Sequence, residues 1–89
     1  MARLELGFVE ALDQGGTAGG ADGLFELGLL YCSGKEGPVD LVTAHKWFNL
    51  AAVRGNAAAR HYRMEIAREM TKAQVAEAQK LAREWLRMH

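Results

Sequence analysis

Four successive stretches of the chain place apolar residues at the period of an α-helix. In 21–33, Leu24, Leu27, Gly28 and Tyr31 fall at i, i+3, i+4 and i+7, on one face. In 40–54, Ala44, Trp47, Phe48, Ala51 and Ala52 repeat that spacing and extend it to i+8. Ala59, Tyr62, Ile66 and Met70 carry it through 57–69. In 72–87 the stripe is Val75, Ala78, Leu81, Ala82 and Trp85, set among strong helix formers. β-Branched residues are few, and no alternating apolar run is bounded by turns, so no strand is predicted. The pattern predicts an all-α chain of about four helices.

The residues between the stripes are helix punctuation. Gly34 suits a left-handed cap at the end of the first helix. Pro38, in Gly37-Pro38-Val39-Asp40, cannot lie inside a helix, and Asp40 is a good N-cap for the second. Gly55 ends that helix and Asn56 caps the next. Thr71 and Gln74 stand three apart, the spacing of a capping box. Gly28 sits inside a helical stripe, where glycine weakens a helix by roughly 1 kcal/mol relative to alanine, so a close helix–helix approach is expected there. Before all this, Leu4, Phe8, Val9 and Leu12 have loosely helical spacing, cut off by the glycine-rich run 14–22. Residues 1–20 are therefore expected to be a flexible arm and linker, either mobile or holding a short, loosely docked helix.

Within Gly23–Gly55, Leu27, Gly28, Tyr31, Gly34, Asp40, Ala44, Trp47, Ala51, Ala52 and Gly55 occur in an order that resembles the Sel-one-like repeat, a tetratricopeptide-like helix pair. Glu36-Gly37 stand where the family usually has Gly-Val. From Ala57 the opening of a second repeat continues, but Arg63, Met64 and Ala67 occupy the places of its Leu-Gly-x-x-Tyr pattern. The resemblance implies an α/α helix-pair solenoid fragment. Its parts are an arm at 1–20, one repeat at 21–56 and a degenerate capping helix pair at 57–89. It also implies a non-catalytic adaptor or scaffold that binds a protein or peptide. In a helix-in-groove mode the groove would be lined by exposed residues of the first and third helices. Glu26, Leu30, Arg60 and Arg63 are the partner-binding candidates.

At 89 residues the chain is one domain. It buries only about 60–65% of its unfolded surface, and solenoid units contact only their neighbours. Phe25, Leu29, Leu30 and Cys32 on the first helix, and Val42, Leu50 and Val53 on the second, lie off the main stripes. Solenoid helices need two packing faces, so part of this set is structural, and the part left uncovered points to an interaction surface. Net charge is zero but divided. Residues 1–59 hold four Lys/Arg against seven Asp/Glu, while 60–89 hold seven against four. Self-association is therefore expected, as a head-to-tail contact or, more safely, a symmetric dimer. The alternatives are a covering protein partner, or the arm folding back through its linker. Pairs such as Lys80–Glu84 read as a solvated helix surface.

Candidate chemistry is sparse. His45, His61 and His89 are too far apart in sequence for a helical metal pair, and Cys32 has no Cys-x-x-Cys partner, so neither metal nor cofactor is expected. Cys32 lies in an apolar helix and reads as a small hydrophobe rather than a nucleophile. The glycines at 15–20 lack the Gly-Lys-Ser/Thr ending of a phosphate loop. Trp47, Phe48 and Trp85 read as core, with Trp47 filling the space between the first two helices. Lys80, Arg83 and Arg87 share a helical stripe, and the alternative function is a nucleic-acid accessory protein using it. Near-neutral pI and interleaved glutamates weigh against that. No enzyme constellation emerges. No apolar run nears the length of a membrane span. Glu5 and Glu10 interrupt any signal-peptide core, and a lone cysteine suits a reducing compartment, so cytoplasm is expected.

Overall fold

The computed structural model describes residues 20–35 and 37–89. Among these the protein is all-helical, with α1 at Ala21–Ser33, α2 at Leu41–Val53, α3 at Ala57–Ala67 and α4 at Lys72–Met88. The predicted boundaries hold to within two residues. The expectations for the N-terminal arm lie outside the described residues.

The predicted punctuation does its work at each junction. Gly34 closes α1 in the left-handed region (φ 76°), and Gly55 follows α2 at φ 109°. The Asp40 carboxylate accepts from the Thr43 amide at 3.0 Å and from its hydroxyl at 2.7 Å, capping α2. The Asp40 amide donates back to the Tyr31 carbonyl at 3.0 Å, which satisfies an orphan acceptor of α1 and closes the corner. Asn56 Oδ1 accepts from the Ala59 amide at 2.8 Å, while its Nδ2 donates to Asp22 at 3.0 Å, tying the start of α3 to the start of α1. Thr71 and Gln74 form the full reciprocal capping box of α4.

The core is organised around α2, the helix that comes closest to the backbone of each of the other three. Neighbouring residues on a helix point about 100° apart, so α2 serves several partners at once. Phe48 is fully buried against α1 and α3: its ring lies 5.7 Å from Phe25 and 5.6 Å from Tyr62. It sits directly over Gly28, where a β-carbon would overlap Cδ1 and Cε1 of the ring. The close approach expected at Gly28 is thus made by Phe48. Trp47 instead turns to α4, meeting Trp85 edge-on at 5.9 Å. Leu24, Leu27, Ala44, Leu50, Ala51, Ala59 and Ala82 complete the buried cluster.

Leu50 belongs to the structural part of the off-stripe set, being among the largest fully buried side chains. Two sequence expectations need correction. Trp47 does not fill the space between α1 and α2; Phe48 does, and Trp47 packs on Trp85. Lys80 and Glu84 form no ion pair. Glu65 on α3 instead lies 3.8 Å from His61 and 3.7 Å from Arg68. Phe25, Leu29, Leu30 and Cys32 are half-buried and pack against the core margin, so of the off-stripe positions only Val53 is left fully open. α3 and α4 make little close backbone contact with each other; both lean on α2.

Candidate interaction surface

The four partner-binding candidates divide by environment. Glu26 on α1 and Arg60 on α3 are exposed. Leu30 is half-buried, with its side chain against the core. Arg63 is half-buried and donates from Nη1 to Asn49 Oδ1 on α2, so part of its donor capacity holds α3 to α2. The same region brings the rings of Phe25 and Tyr62 within 5.3 Å, edge to face, linking α1 to α3 beside the candidate residues.

His45 is a feature that sequence spacing did not single out. It lies on α2, is only 3% exposed, and its Nδ1 has no hydrogen-bond partner among the described residues. Burial lowers its pKa, and the positive charge of Arg63 lowers it further. The Trp47 indole N–H is likewise buried without a partner, although the Lys46 ammonium lies 4.2 Å from the ring centroid. Cys32 is half-buried, and its thiol leans on the Leu29 carbonyl at 3.7 Å. Burial raises its pKa, partly opposed by a backbone hydrogen bond, so the thiolate is disfavoured. Among the described residues, no three His, Cys, Asp or Glu side chains gather as metal ligands, and no helix is long and apolar enough to cross a membrane.

Two depressions lined by described residues bear on function. One, of about 600 Å³, opens where the α1–α2 corner meets the α3–α4 corner. Tyr31, Val39, Leu41 and Val42 give it apolar walls, and Asp40 and Glu69 give it carboxylates. No lysine or arginine is among its described lining residues. The other, of about 480 Å³, lies on the outer face of α4 between Lys80, Arg83, Glu84 and Arg87. Near the C-terminal end of α4, Trp85 carries the Arg54 guanidinium at 5.1 Å from its ring and the His89 ring stacked at 4.2 Å. His89 Nδ1 donates to the Trp85 carbonyl at 2.9 Å. Large apolar side chains left open are Val39, Val53, Tyr62, Met64, Leu86 and Met88.

Compared with known proteins, the chain matches no family model, no curated protein and no solved structure.

Proposed function

We propose that the chain is a non-catalytic protein–protein interaction module of the Sel-one-like kind, a cytoplasmic adaptor or scaffold. In this reading α1 and α2 form one tetratricopeptide-like helix pair and α3 and α4 its atypical C-terminal cap. The observation that carries it is the seat of Phe48 over Gly28. A glycine held inside a helix at the cost of stability, with a ring from the partner helix seated on it, is what the ordered motif requires of a helix pair. The caps at Gly34, Asp40 and Asn56 support the same corner geometry. The binding face is that of α1 and α3, with Glu26 and Arg60 as its accessible charges and Leu30 at its margin.

The experiment is affinity capture from the native host with wild type and with Glu26→Arg and Arg60→Glu. Both positions are exposed, so stability should stay within about 0.5 kcal/mol. Loss of a common protein partner in both variants supports the reading; unchanged capture contradicts it.

A second reading rests on Lys80, Arg83 and Arg87, which are exposed and border one depression. As a nucleic-acid contact with three phosphates, it predicts a salt slope of about −2.7 in log affinity against log salt. Binding that is insensitive to salt removes it.

A further inference from the structure

The fold buries a titratable side chain where α3 is attached. His45 is 3% exposed, and its Nδ1 has no hydrogen-bond partner among the described residues. Its neighbours one turn along α2 are Phe48 and Asn49, and both reach α3. The Phe48 ring lies 5.6 Å from Tyr62, and Asn49 Oδ1 accepts from Arg63 Nη1. His45 therefore occupies the α3 side of α2. A proton there sets two cations, His45 and Arg63, against each other away from water. Among the described residues no carboxylate offsets it. On α1, Asp22 is held by Asn56 and Glu26 is exposed. On α2, Asp40 is engaged with Thr43, and Lys46 lies on the Trp47 ring. On α3, Glu65 lies toward His61 and Arg68, and Glu69 lines the corner depression. α4 packs on the Trp47 side of α2; Glu77 is exposed, and Lys80, Arg83, Glu84 and Arg87 border its outer depression. The Cys32 thiol and Tyr62 phenol bring no charge as acid is added.

α3 is also the helix with least to hold it. Of its eleven residues Ala59 alone is fully buried. Its little close backbone contact with α4 lets it leave α2 without carrying α4 along. We propose that His45 is an acid-sensitive latch for α3. At neutral pH the imidazole is uncharged and α3 stays seated. On acidification the imidazole takes up a proton only as α3 lifts from α2, so acid draws α3 away while α1, α2 and α4 remain packed. His61 works in the opposite direction: it is exposed, and a proton on it strengthens its approach to Glu65 within α3. Release uncovers the Phe25 and Phe48 rings and carries Arg60 away from α1. Loss of a partner bound on the α1–α3 face would follow, and that consequence rests on the partner-binding reading; the latch itself does not.

The test is native-state hydrogen exchange of the full chain in low urea, at about pH 7.5 and about pH 5, for wild type, His45→Leu and His61→Gln. Amide rates are corrected for the intrinsic effect of pH. In wild type the α3 amides should be less protected than those of α2 and less sensitive to urea, as an opening of α3 alone requires. Their protection should fall by up to about thirtyfold between the two pH values, the excess of protonated over neutral imidazole at the lower pH for a freed histidine. His45→Leu should abolish that fall, and His61→Gln should leave it in place. α3 amides with the protection and urea dependence of α2 overturn the proposal, because α3 then opens only with the whole fold. So does a wild-type fall of less than about threefold, too small for uptake of a proton by a freed imidazole. A fall that survives His45→Leu, or vanishes in His61→Gln, also overturns it. Should His45→Leu fail to fold by circular dichroism, wild type and His61→Gln still decide.

Discussion

Replacing Gly28 with alanine tests the central packing contact. Two effects oppose each other. Alanine in place of a helical glycine favours the helix by about 1 kcal/mol. Against that, the new methyl would occupy the space of Cδ1 and Cε1 of Phe48 and stand 2.9 Å from its Cζ. The ring cannot retreat easily, because it is fully buried and held between Phe25 and Tyr62. Overpacking of this kind costs about 1–3 kcal/mol, and the clamped ring places it at about 3. The expected net loss is about 2 kcal/mol. A domain of this length has a total stability of about 4–13 kcal/mol, so the melting temperature should fall by about 8–16 °C. Urea unfolding at constant m-value reads the change directly. The cycle with Phe48→Leu locates its source. On that background the clash is relieved, and Gly28→Ala should become neutral or stabilise by up to about 1 kcal/mol. A higher urea midpoint for Gly28→Ala alone, or an equal loss on both backgrounds, would refute the packing argument.

His45 makes stability depend on pH. Its folded pKa lies below the unfolded value near 6.5, so the unfolded chain binds the proton first. Its contribution is complete above about pH 6.5 and is lost as pH falls toward the folded pKa. Urea midpoints should drop between about pH 7.5 and 5, and His45→Leu should flatten that dependence. Removing the Asp40 cap with Asp40→Ala should cost about 1 kcal/mol by urea unfolding. Asn56→Ala should cost more, because it also severs the link to Asp22. Cys32 should react with a thiol reagent many-fold more slowly in the native protein than in urea, since burial disfavours its thiolate.

Helix boundaries were legible because each is set by local chemistry: a left-handed glycine at 34, a carboxylate at 40, an amide at 56 and a capping box at 71. The destination of each buried side chain was less so. Helical spacing places Trp47 and Phe48 on one broad face but does not say which neighbour each one meets. In the structure Phe48 takes the gap over Gly28 and Trp47 is left for Trp85. Leu50 lies off the main stripe and is buried because a helix with three neighbours buries a wider arc than one stripe. His45 fell into the same arc, and nothing in its sequence neighbours signals burial. Among the surface candidates, Glu26 and Arg60 stayed exposed because they lie opposite the buried stripes. Arg63 was drawn inward by a polar group, Asn49, on another helix. Such a pairing depends on tertiary geometry, which residue spacing does not encode.

The most direct test of the interaction-module account is site-specific photo-cross-linking in the native host. A photoreactive residue is placed at Glu26, at Arg60 or, as a control on the outer surface of α4, at Gln79. The account predicts discrete protein adducts from Glu26 and Arg60 that identify the same partner, with none from Gln79. Nucleic-acid adducts confined to the α4 position, or an indistinguishable pattern from all three sites, would contradict it.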